Sequence, residues 1–192
     1  MNDIANNGAV PLEVRLAGAA DLARLDALVE RSFRGLGAAH YAPGQLDAAL
    51  GPAIRVDRGL VADGTYFAVE RAGELVACGG WSARIATARD VPLPSPRAEV
   101  RAMFVAPEHA GRGIGRVLLA AAEHAIAEAG FDVAYLLATR SGLAFYLRAG
   151  YVALAEHRIA RPGGEALEVT CMQRALHVRR PDPGRGERCG LR

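Results

Sequence analysis

The chain has 192 residues, enough for one well-cored domain and too few for two, and it pairs a half-apolar composition with a formal charge of only +2. All 23 basic residues are arginine, which excludes a catalytic lysine, a Schiff base and a P-loop lysine. Cys78, Cys171 and Cys189 have neither metal-ligand spacing nor an obvious pairing, and there is no membrane-length apolar run or signal-peptide pattern, so the expectation is a cytoplasmic protein with free thiols.

After a flexible N-terminus over residues 1–11, the run from Leu12 to Ala17 reads as a first strand. Asp21 is placed to cap a helix whose apolar positions Leu22, Leu25, Val29 and Phe33 follow helical spacing. A loop from Gly35 leads to a short second helix starting near Pro43 or Gly44. "TYFAVERAGELVACGGWSARIA" predicts two strands around a turn at Ala72 and Gly73. A proline-rich loop then precedes the strand "EVRAMFV", a glycine-rich segment and a helix running to about Ala129. A buried strand "VAYLLA", a short helix "SGLAFYLRAG" and two final strands complete a mixed order of helices and strands. From His177 to Arg192 the tail holds five arginines against Asp182 and Glu187. It has no aromatic platform, and its simplest reading is a solvated terminus, not a nucleic-acid site.

The segment "AGRGIGRVLLAAAEHA" lies between a strand and a helix. Leu118, Ala121, Ala122, Ala125, Ile126 and Ala129 form the apolar stripe of that helix, and Arg116, Glu123, His124 and Glu128 its wetter face. The first turn of a helix leaves amide N–H groups without internal partners and carries positive potential. Gly111, Gly113 and Gly115 let a large anion approach those amides, and Arg112 and Arg116 add charge, so a phosphate or pyrophosphate is the expected ligand. A P-loop needs a lysine that this chain lacks. A Rossmann fingerprint needs a Gly-x-Gly-x-x-Gly spacing, which Gly111, Gly113 and Gly115 do not have.

With its Val105, Pro107, Gly113 and Gly115, "EVRAMFVAPEHAGRGIGRVLLAAAEHA" resembles the acetyl-CoA-binding core of the GNAT superfamily of N-acetyltransferases. "AFYLRAGY" is similar to that family's second signature, with Tyr146, Gly150 and Tyr151, and "GGWSARI" resembles a subgroup of the same family. The resemblance implies an α/β (α+β mixed sheet) GNAT fold over residues 12–176: a mostly antiparallel central sheet splayed between strands 4 and 5, with flanking helices. It implies acetyl-CoA as co-substrate, no metal, and acetyl transfer to a primary amine by direct attack. The backbone of Met103, Phe104 and Val105 would pair with the pantetheine arm, and the turn Gly111, Arg112, Gly113, Ile114, Gly115 and Arg116 would hold the pyrophosphate. Tyr146 would protonate the departing thiolate. Glu99 is the candidate base, acting through water, with a solvent-facing strand end as the alternative. His40, Tyr41 and Trp81 are acceptor-site candidates by position, as is the Pro92–Pro96 loop.

Two positions depart from the family pattern. Ala110 stands where Arg or Gln is usual, and Thr139 where many members have a cofactor-contacting Asn. Ala134 takes the place of a strand-5 glutamate found in some peptide-acetylating relatives, which favours a small-molecule acceptor. The alternative class is an acyl-CoA-binding sensor or interaction module without chemistry of its own. No nucleic acid or membrane is expected as a partner, and the final strands offer a surface for a homodimer.

Overall fold

The computed structural model describes residues 10–50, 54–84, 97–161 and 164–176. Residues 1–9, the Pro92–Pro96 loop and the tail from His177, with Cys189, lie outside the described residues. Strands β1 (Leu12–Leu16), β2 (Tyr66–Arg71), β3 (Glu74–Ser82), β4 (Arg97–Val105), β5 (Val133–Thr139), β6 (Val152–Arg161) and β7 (Gly164–Ala175) make one sheet in the order β1-β2-β3-β4-β5-β7-β6. Helices α1 (Leu22–Gly37), α2 (Pro43–Ala49), α3 (Arg58–Ala62), α4 (Ile114–Glu128) and α5 (Arg140–Arg148) flank it.

Local sequence explains much of this. Ala72 and Gly73, at φ 51° and 77°, give the β2–β3 turn positive φ at both central residues, the geometry that matches the twist of a tight hairpin. Every neighbouring pair is antiparallel except β4 and β5. Parallel neighbours need a crossover, and the alanine- and leucine-rich α4 supplies it. The buried face of α1 (Leu25, Leu28, Val29) packs with Tyr66, Ala68 and Cys78, while Ile114 and Leu118 of α4 pack with Val69, Val76 and Ala77. Leu119 and Ile126 of α4 meet Ala134, Leu136 and Tyr146 in a further cluster.

The feature that positions the site is the parting of β4 from β5. Their register holds for three pairs only, Arg97 with Val133, Ala98 with Ala134 and Glu99 with Tyr135. At the closed end the Arg97 guanidinium lies 5.8 Å from the centre of the Tyr135 ring. Beyond Glu99, β4 keeps its β3 partner, but the two strands slip: Cys78 pairs Phe104 and Gly80 pairs Arg101, so β4 carries one extra residue. Ala102 absorbs it with φ 50°, and its carbonyl accepts a hydrogen bond from the Tyr66 hydroxyl at 3.1 Å. The result is the expected mixed α/β sheet, splayed between its fourth and fifth strands.

Several expectations are corrected. Helix α3 was not foreseen; its cap is Asp57, whose carboxylate accepts from the amides of Gly59 and Leu60 at 3.1 and 3.3 Å. Asp21 precedes α1 but makes no capping hydrogen bond to it. Its carboxylate instead accepts from the Gly18 amide and from both terminal nitrogens of Arg15, and the guanidinium holds it at a pKa of about 2. Glu123 is not a solvated residue of α4: it accepts two hydrogen bonds from Arg174 of β7, at 2.9 and 3.0 Å. Cys78 and Cys171 are buried free thiols, and burial pushes the Cys78 pKa up to about 12. Among the described residues, no helix is long and apolar enough to cross a membrane. The outer strand β6 exposes Val152 and Leu154.

Candidate active site

The splay opens into a cavity of about 1190 Å³. Glu99, Met103, Phe104 and Val105 of β4, Gly111, Gly113, Gly115 and Arg116 of the glycine turn, Thr139 at the end of β5, and Tyr146 of α5 all line it, as does His40. Residues spread over more than a hundred positions of the chain thus meet on one surface. From Val100 to Val105 the edge of β4 that faces β5 has no strand partner, so, apart from the Ala102 carbonyl held by Tyr66, its outward N–H and C=O groups are available to an extended ligand.

At the open end of that edge lies the glycine turn. Gly111 and Gly113 have φ 73° and 81°, a left-handed region in which a Cβ is strained, and Gly113 is the residue that starts α4. The first amides bonded inward are those of Arg116 and Val117, both to the Gly113 carbonyl at 3.0 and 3.2 Å. This amends one expectation: the Arg116 backbone is already used, and what it presents to the cavity is its side chain. The Ile114 side chain is buried against Val69 and Val76, so Ile114 can serve there through its backbone alone, and Arg112 is exposed beside the cavity lining. Thr139 hydrogen-bonds the Ser141 hydroxyl at 3.1 Å, and Ser141 and Arg148 join the same wall.

Tyr146 is 8 % exposed, its ring 4.9 Å from that of Phe145 and 5.6 Å from that of Tyr151. Burial raises its pKa well above the ordinary 10.0, so the phenol stays protonated. Glu99 is not a solvent-facing strand end: only 2 % of its surface is exposed, and its carboxylate lies 3.9 Å from Arg101 Nε. Arg101 also pairs with Asp57 at 3.0 Å, and both line the cavity. The sequence reading missed Arg101, Asp57, Ser141 and Arg148; Arg101 and Arg148 stand inside the two recognisable motifs, whereas Asp57 and Ser141 stand outside them.

Tyr41 and Trp81 lie elsewhere. Trp81 packs edge-on against Phe131, ring centres 6.1 Å apart, and is outside the cavity lining. Tyr41 is 7 % exposed beside Phe33, and its hydroxyl accepts from the Arg140 amide at 2.9 Å, at the first residue of α5. A remote side chain thereby satisfies one of the amides that a helix start leaves open. Tyr41→Phe is expected to lose about 1 kcal/mol, a fall of roughly 2–4 °C in melting temperature, with the KM for an acceptor unchanged. Thermal unfolding followed by circular dichroism, beside steady-state kinetics, checks both halves; a rise in KM alone would return Tyr41 to the acceptor site.

Comparison with known proteins bears on what this arrangement is. The acetyltransferase (GNAT) domain pattern matches residues 62–153, which include β4, the glycine turn and α5. None of the curated proteins compared matches the sequence. A GCN5-related N-acetyltransferase from Ralstonia eutropha is 30 % identical with a TM-score of 0.58, the match covering 79 % of this chain and 98 % of that one. A second, from Rhodopseudomonas palustris, is 23 % identical with a TM-score of 0.71, over 88 % of this chain and 98 % of that one. YncA of Salmonella typhimurium, solved with its cofactor acetyl-CoA, is 21 % identical with a TM-score of 0.60, over 90 % of this chain and 99 % of its own.

Proposed function

Since the chain belongs to the GNAT acetyltransferase family, we propose that residues 12–176 transfer an acetyl group from acetyl-CoA to the primary amine of a small molecule. The observation that carries this reading is the unpaired edge of β4, which runs from beyond the buried Glu99 to Val105, is followed after a short turn at Pro107–His109 by the glycines, and shares one cavity with Tyr146. The backbone of Met103, Phe104 and Val105 pairs with the amides of the pantetheine arm as a further strand would. The open amides of Gly111 to Gly115 hold the pyrophosphate, and the Arg116 guanidinium adds its charge. Thr139 and Ser141 offer hydroxyls to the same arm.

The reaction is a direct displacement. The neutral amine nitrogen attacks the thioester carbonyl carbon, the C–S bond breaks, and the thiolate takes the proton of the Tyr146 hydroxyl. Glu99 accepts the amine's proton through water. Much of the rate comes from holding amine and thioester together in one cavity. Ala134, fully buried, offers the acceptor nothing, consistent with a small amine.

Calorimetric titration with acetyl-CoA and with CoA tests the proposal. Micromolar binding, about −8 kcal/mol, is expected for both, followed by thiol release when an amine is added. Absence of binding at high protein concentration would overturn the reading, with Ala110 as the first suspect. Binding without thiol release for any amine would instead favour an acyl-CoA sensor.

A further inference from the structure

The cavity has more charge than the transfer itself uses. Away from the glycine turn, its wall carries Arg55, Asp57, Arg58, Glu99 and Arg101. Arg101 joins Asp57 at 3.0 Å and approaches Glu99 at 3.9 Å, and Arg58 is paired with Asp26 at 2.9 Å. The exposed Arg55 makes no ion pair or side-chain hydrogen bond with any described residue. One end of the site therefore holds two carboxylates tied to a common guanidinium, with an uncommitted guanidinium beside them.

Backbone geometry fixes that adjacency. Val56 is 1 % exposed and packs with Leu60 and Tyr66, and Asp57 is extended at φ −81°, ψ 94°. On either side of Val56, whose side chain is buried in the core, Arg55 and Asp57 both line the cavity. Two positions apart, their Cα atoms can stand no more than about 7 Å from each other. That spacing suits a molecule with an amine at one end and an anion a few atoms away.

Resting on the acetyl-transfer reading, we infer that the acceptor is a primary amine that also carries a carboxylate or a phosphate. Its ammonium group is drawn to Asp57 and Glu99 before losing a proton, and its anionic group is held by Arg55, whose planar donors match either oxyanion in two-point fashion. A diamine or polyamine would instead place its second cation against guanidiniums, an unfavourable encounter.

Thiol release from acetyl-CoA by the full chain, measured with matched amines, tests this. Lysine is set against 1,5-diaminopentane, and phosphoethanolamine against ethanolamine. The anionic member of at least one pair is expected to have about tenfold or higher kcat/KM, and the pair that shows it identifies the group. Arg55→Gln is expected to erase the preference by raising the anionic acceptor's KM about 10- to 100-fold, and Arg55→Lys to keep part of it. Turnover with no preference, or a preference that survives Arg55→Gln, overturns this inference alone. No turnover with any amine overturns the transfer reading and this inference with it.

Discussion

In Tyr146→Phe, kcat is expected to fall about 100-fold while the affinity for acetyl-CoA stays within about twofold. The substitution removes one oxygen and keeps the ring, so the edge-on packing with Phe145 and Tyr151 survives and the cofactor wall with it. What disappears is the proton donor. Burial favours the neutral phenol and moves its pKa above the usual 10.0, so the hydroxyl is poised to give a proton to a thiolate and not to take one from an amine. The sign of the pH dependence follows. Deprotonation of Tyr146, and any loss of rate from it, comes only once pH passes the raised pKa. Wild-type kcat/KM should therefore rise as the acceptor amine deprotonates and show no falling limb from this residue below about pH 10. Steady-state thiol release across pH, beside calorimetry of both proteins, measures each part. Equal turnover in the variant would remove Tyr146 from the mechanism.

What could be read in the sequence, and what could not, divides by the range of the interactions. The β4–turn–α4 segment was legible because its requirements are local: a strand, a backbone freed of side chains, then the amides of a helix start. The β2–β3 hairpin was legible for the same reason, its turn being specified by neighbours. Tyr41 is an acceptor-site candidate by position alone, and nothing near it in sequence announces the Arg140 amide, 99 positions on, that its hydroxyl meets. Glu123 looked solvated until Arg174 of β7 came to lie beside it, 51 positions away. The β4 bulge had no signal in the local residues and followed only from the family resemblance, since Ala102 is an ordinary residue in a glycine-like conformation imposed by the slip against β3. The Asp57–Arg101–Glu99 linkage belongs to the same class. Asp57 and Arg101 are unremarkable charges in the sequence until the start of α3, itself unforeseen, brings Asp57 to β4. The proposed cofactor turn is thus encoded in consecutive residues, and the proposed acceptor end in the tertiary meeting of distant ones.

That division can be tested at the turn itself with a matched pair of substitutions. Gly113→Ala and Gly130→Ala stand at the two ends of α4, at φ 81° and 87°, and a Cβ at either has open space around it. Both variants pay the same backbone strain, about 1–2 kcal/mol for an L-residue in the left-handed region, and should melt at nearly the same lowered temperature. Gly130 closes the helix, with its own amide bonded to the Ala127 carbonyl and that of Phe131 to the Ile126 carbonyl, far from any proposed ligand. Gly113 lines the cavity, and there the open space is what a pyrophosphate would fill. A methyl group would stand between the phosphate oxygens and the amides of Ile114 and Gly115, weakening charge-assisted hydrogen bonds. Acetyl-CoA affinity is therefore expected to drop about 10- to 100-fold in Gly113→Ala and to stay unchanged in Gly130→Ala. Calorimetry of the pair, with melting curves as the control for strain, separates a binding turn from a merely tight one. Equal affinity in the two variants would mean that the glycines serve the chain's path and that the pyrophosphate lies elsewhere.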